Sequence, residues 1–162
     1  MTQITAHLQL LQKKLIHLQR MRQYLSFSLA QVKQLPTALE FDKLTDEMHE
    51  TLAAFRVRFS EYQEHLGKTM ATVAREENQD TSTFTQVLVY MEKLSIISSA
   101  LDWKLVRELR NSINHEYEED QARLQVFFIS LQEQCPTLFT WHDQLQNFCV
   151  KQYPTITKSA AT

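Results

Sequence analysis

Between positions 110 and 117 the chain gathers Arg110, Asn111, Asn114, His115 and Tyr117 into little more than two helical turns. These side chains share a chemistry. A guanidinium offers a planar fork of donors to an oxyanion, and an imidazole with a pKa near ~6.5 takes or gives a proton at neutral pH. At about 100° per residue, Leu105, Leu109 and Ile113 fall on one face and are expected to anchor the helix, with the polar residues spread over the other half. Arg110 and His115 then lie roughly 140° apart around the axis. A small anion touches both only if the chain folds around it or a second copy of the helix contributes.

The elements that position this segment are read from periodicity. Of the 162 residues only Gly67 is glycine, and Pro36, Pro136 and Pro154 are the only prolines, too little turn chemistry for a multi-stranded sheet. The expected fold is all-α: an up-and-down helical bundle with two long antiparallel helices plus three or four shorter ones. Ile4, Leu8, Leu11, Leu15, Leu18, Arg22, Leu25, Leu29 and Val32 step by fours and threes, a heptad stripe broken at Arg22, where Met21 can cover the seam. Pro36 ends that helix. Thr37 and Glu40 form a capping box for the next, whose stripe from Phe41 to Leu66 ends at Gly67 in a left-handed cap, so that a tight turn joins the pair. Over 68–82, Met70, Val73 and Ala74 can continue a helical turn or two, while the polar run at 76–80 reads as a loop, and an exposed, mobile connection is expected.

Thr83 and Gln86 cap a third helix running to about Ser98, and Asp102 caps the motif helix from Trp103 to about Tyr117. Glu116, Glu118, Glu119 and Asp120 are unfavourable at a helix C-terminus and favourable at the start of a fifth helix carrying Leu124, Phe127, Phe128 and Leu131. Pro136 and Thr137 open a last helix. Residues 1–153 read as a single helical domain and 154–162 as a disordered polar tail.

Composition excludes several functions. A formal net charge of −2 does not fit a protein that grips nucleic acid by bulk charge, so any such contact must be local. Cys135 and Cys149 have neither zinc nor redox-motif spacing and read as reduced packing residues. No segment has the length of a membrane span and no leader pattern opens the chain, so a cytoplasmic location is expected. Asp46 with His49, and Glu61 with His65, lack the further carboxylates that a bundle metal site needs, so no metal and no cofactor is assigned. His7, His17, His49, His65 and His142 read as surface or boundary residues.

On spacing alone, Arg110 and His115 fit a solvated helix face pairing with Glu108 or Glu118. The stretch from Met91 to Tyr117, with Trp103, Arg107-Glu108-Leu109 and above all the order Arg110, Asn111, four residues between arginine and histidine, then His115-Glu116-Tyr117, resembles the HEPN superfamily. Within it the likeness is to HepT-like toxins encoded beside a minimal nucleotidyltransferase. Ser95 departs from that pattern, standing where related chains would carry glycine. The resemblance implies a homodimer joined through the motif helix and a metal-independent endoribonuclease. His115 would take the proton from an RNA 2′-hydroxyl that attacks the adjacent phosphorus, Arg110 would hold the phosphate oxygens, and Asn111 and Asn114 would support them. It also implies a nucleotidyltransferase antitoxin as partner, transferring AMP to Tyr117. Two alternatives stand beside it: a non-catalytic nucleotide- or partner-binding subunit of a two-protein nucleotidyltransferase complex, and a helical adaptor with a vestigial motif.

Overall fold

A computed structural model describes residues 5–112 and 119–157, and among them the chain is all-helical, with no strand. The helices are α1 (Ala6–Val32), α2 (Asp46–Glu76), α3 (Phe84–Lys93), α4 (Ala100–Asn111), α5 (Gln121–Gln152) and the short α6 (Pro154–Thr157).

The heptad stripe of α1 is its buried face: Leu11, Leu15, Leu18, Leu25, Leu29 and Val32 all lie in the core. Helix α2 answers with Leu52, Phe55, Phe59, Tyr62 and Leu66. The pair is antiparallel, because His17 meets His65 at a ring-centroid separation of 6.2 Å while Tyr24 lies 4.9 Å from the Arg58 guanidinium, seven residues forward on one helix and seven back on the other. Arg22, the break in the stripe, reaches α5 instead. There it pairs with Asp143 at 2.5 Å and lies 4.8 Å from the centre of the Phe139 ring.

The linker and the reach of α2 differ from expectation. No capping box forms at Thr37 and Glu40. Phe41 turns into the core against Phe128, its backbone N–H donates to Gln121 Oε1 at 2.9 Å, and residues 41–43 make a 3₁₀ turn before Thr45 caps α2. Nor does Gly67 end α2. The helix continues with Met70, Val73 and Ala74 fully buried and ends at Glu76, with Glu77 as its cap and Asn78 next, whose φ of 57° is left-handed. There Gln79 N–H donates to Ala74 O and Asn78 N–H to Arg75 O, the paired bonds of a Schellman cap. Gly67 serves close approach instead: a Cβ there would meet Trp103 Cζ2 at 3.0 Å and Phe84 Cζ at 3.2 Å.

Helix α3 opens on the expected Thr83–Gln86 capping box but ends at Lys93 in a second Schellman cap, with Ile96 N–H donating to Met91 O and Ser95 N–H to Glu92 O. Ser95 carries the left-handed residue of this cap at φ 59°. A serine Cβ costs roughly 1–2 kcal/mol there, which glycine avoids, partly offset by glycine's freer unfolded chain. Ser95→Gly therefore raises stability by about 0.5–1 kcal/mol in urea unfolding, and a lower midpoint at unchanged slope would contradict this.

Helix α5 runs unbroken through Pro136. Proline in a helix interior costs about 3 kcal/mol, but Leu131, Cys135, Leu138, Trp141, Leu145 and Cys149 keep one apolar stripe in phase on both sides of it and pack it against α2 and α1. The expected disordered tail is in part structured. Ile156 is buried and its carbonyl accepts from Gln12 Nε2 at 3.1 Å; residues 158–162 lie outside the described residues.

Candidate functional site

Helix α4 is capped by Ser99, whose hydroxyl accepts from Asp102 N–H at 3.0 Å, so Asp102 sits in the first turn and not at the cap. Its anchoring face also differs from expectation. Trp103 and Val106 are buried and Leu109 half-buried, whereas Leu105 is 53% exposed and Leu101 64% exposed. The indole is the larger apolar surface, and the gap at Gly67 admits it against α2, which sets the helix's rotation.

That rotation places Arg110, seven residues after Trp103, over α2 and not on the side opposite the anchor. Its Nη1 donates to Gln63 Oε1 at 2.8 Å and lies 3.5 Å from Ser60 O, and its Nε donates to Asn111 Oδ1 at 3.3 Å. Gln63 is 2% exposed. A charge-assisted bond to a buried amide fixes the guanidinium far better than solvent would. Asn111 is exposed beside it. Asn114, His115 and Tyr117 lie outside the described residues, so the arrangement brings together Arg110 and Asn111 of the expected set. Beyond them, Arg123 Nη2 donates to Ser112 O at 3.0 Å and Asp120 caps α5.

Arg110 stands where two grooves meet. One is lined by Gln63, Gly67, Phe84, Trp103 and Arg107, with Lys68 on its wall; the other by Arg56, Ser60, Glu61 and Asn111, and Glu64 borders both. Gln63 is not marked by the motif, and Arg107, part of its lead-in, has no groove assigned to it by spacing. Gln63 had a signal: it is an uncharged polar residue next to the apolar stripe at Phe59, Tyr62 and Leu66, where only a partner makes burial tolerable.

One histidine and both cysteines belong to the core. His142, expected at the surface or boundary, is 1% exposed, and its Nδ1 lies 2.6 Å from Tyr62 Oη. Burial, with Arg22 nearby, holds its pKa down to about 4. Cys135 and Cys149 are fully buried, which pushes both thiols up to about 12 and leaves neither as a thiolate near neutral pH. Among the described residues no cluster of three or more His, Cys, Asp or Glu could hold a metal ion, and no helix is long and apolar enough to cross a membrane. Neither a family model, nor a curated protein, nor a solved structure matches the chain.

Proposed function

We propose that the chain is a HEPN-type toxin, a metal-independent endoribonuclease that cleaves RNA by attack of a 2′-hydroxyl on the adjacent phosphorus. The observation that carries this reading is Arg110, fixed by buried Gln63 at 2.8 Å where two grooves meet, at the end of the helix that leads directly into Asn111, Asn114 and His115. In the reaction His115 accepts the 2′-hydroxyl proton, the oxygen–phosphorus bond forms as the bond to the 5′-oxygen breaks, and a 2′,3′-cyclic phosphate results. The leaving 5′-oxygen takes up a proton from the imidazolium or from water. Arg110 stabilises charge on the non-bridging oxygens.

Exposed Leu101 and Leu105, flanked by Lys104 and Glu108, support a homodimer in which α4 packs on a second α4. Antiparallel pairing about a two-fold axis near Val106 sets Lys104 of one copy against Glu108 of the other. The partner in regulation is a minimal nucleotidyltransferase antitoxin, and Tyr117 is its target: an AMP there adds bulk and negative charge seven residues on from Arg110 in the chain. A second reading, a nucleotide-binding subunit without catalysis, is favoured by the Phe84 and Trp103 edges in the groove beside Arg107, which suit a base and its phosphate.

The test is direct. Purified protein degrades RNA in EDTA and leaves DNA intact, the products carry cyclic phosphate ends, and the protein sediments as a dimer. His115→Ala lowers the rate by about 10²–10⁴-fold, the range for loss of a general base. Nucleotide binding with no cleavage would select the second reading, and a strictly monomeric active enzyme would remove the dimer.

A further inference from the structure

Away from Arg110, helices α1 and α2 crowd basic groups along one seam. The antiparallel register that sets His17 against His65 sets Lys14 against Lys68, three residues away on each helix, and Arg75 follows two turns further along α2. Burial and the charges of Lys68 and Arg75 lower the Lys14 pKa; burial and the charges of Lys14, His17 and Lys68 lower that of His65. His65 Nε2 is buried and has no hydrogen-bond partner among the described residues. Glu64, 3.3 Å from Lys68, is the acid that faces this group, and it does not balance it. In a chain of net charge −2 such crowding works against folding, and a bound anion would relieve it.

Lys68 also lines the groove that contains Arg107 and Arg110, so the basic groups form one continuous track from the end of α4, past the half-buried ring of Phe84, onto the α1–α2 seam. We propose that this seam binds the phosphates of single-stranded RNA flanking the link held at Arg110, with Lys14, His17 and Arg75 as the contacts beyond the groove. This rests on the nuclease reading for the identity of the polyanion. A single strand fits because half-buried Phe84 lies in the groove on this track, where an unpaired base can reach it and a paired one cannot.

The experiment uses the full chain carrying His115→Ala, so that RNA survives, and measures binding of a labelled fifteen-residue oligouridylate by anisotropy between 50 and 200 mM salt. Adding Lys14→Gln and Arg75→Gln lowers affinity about tenfold at 100 mM salt and reduces the salt slope by about 1.4, from ~0.7 per lost single-strand contact. Thermal unfolding of this variant is unchanged or improved, since two mutually repelling charges are gone. With His115 intact, the same two substitutions leave cleavage of a trinucleotide, too short to reach the seam, as it was. An unchanged affinity and slope would overturn the proposal, as would an equal loss on the trinucleotide or a parent protein that binds no RNA. Failure of the nuclease reading looks different: no cleavage by the unsubstituted protein, with binding still sensitive to Lys14 and Arg75.

Discussion

For the proposed nuclease, Arg110→Ala lowers RNA cleavage by about 10²–10³-fold, the scale on which a donor aimed at developing phosphate charge acts. Arg110→Lys recovers little of it. The reason lies in the geometry: Nη1 donates to Gln63 Oε1 at 2.8 Å and to Ser60 O at 3.5 Å, and Nε to Asn111 Oδ1 at 3.3 Å, so the guanidinium plane is fixed along one edge while the two N–H groups of Nη2 are left for phosphate oxygens. A lysine ammonium has no second edge and satisfies either Gln63 or the substrate. Gln63→Met keeps the volume and removes the hold, so it lowers kcat by roughly tenfold with little change in KM, acting through the orientation of Arg110. Loss of Arg110 also leaves the Gln63 amide buried without its partner, at a cost of about 1–3 kcal/mol. Rates are therefore compared well below the unfolding transition, which circular dichroism checks for each variant. Full cleavage by Arg110→Ala under those conditions would end the nuclease account.

The parts of this architecture that were legible in the sequence are those whose signal is local. The stripe from Leu11 to Val32 buries as its spacing requires, and the Thr83–Gln86 capping box forms, because both depend on side chains within a turn or two of one another. The errors arise where distant packing decides between two local meanings. Gly67 reads as a helix terminator, yet its missing Cβ makes room for Trp103, 36 residues away in sequence, whose Cζ2 would lie only 3.0 Å from a Cβ at that position. Pro136 reads as a helix start, yet the stripe on either side of it is in phase and its burial outweighs one lost hydrogen bond. The rotation of α4 turned on the same contact. Leucines at 105 and 109 satisfied the pattern, but the indole at 103 fills the cleft, and Arg110 therefore turns toward α2. Arg110 and Asn111 stand out by type and order alone, whereas the placement of Gln63 and Arg107 beside Arg110 depends on the fold. His142 was misread for want of Tyr62, its partner from another helix.

Burial of that histidine makes stability depend on acid. Tyr62 Oη and His142 Nδ1 lie 2.6 Å apart, and Arg22 Nη1, which can only donate, approaches the same nitrogen at 3.5 Å, so Nδ1 is the acceptor of a neutral ring with its proton on Nε2. Burial first, and the Arg22 cation second, hold the folded-state pKa at about 4, with Asp143 opposing, against an ordinary value near ~6.5 in the unfolded chain. Between those values the unfolded state binds a proton that the folded state refuses, so stability falls as pH falls, by up to about 1.4 kcal/mol per pH unit and on the order of 3 kcal/mol in all. The contribution is complete above about pH 7 and exhausted near pH 4, where the buried ring finally charges beside Arg22. His65, also depressed by burial and by Lys14, adds to the fall in the same direction. In urea unfolding at pH 7, 6, 5 and 4.5, the parent protein loses several kcal/mol. His142→Gln starts about 1–3 kcal/mol lower at pH 7, with Tyr62 less well bonded, and loses much less on acidification. Tyr62→Phe keeps the acid sensitivity, because desolvation and Arg22 still oppose the charged ring. Equal slopes for the parent and His142→Gln would show that this histidine is not the group that refuses the proton.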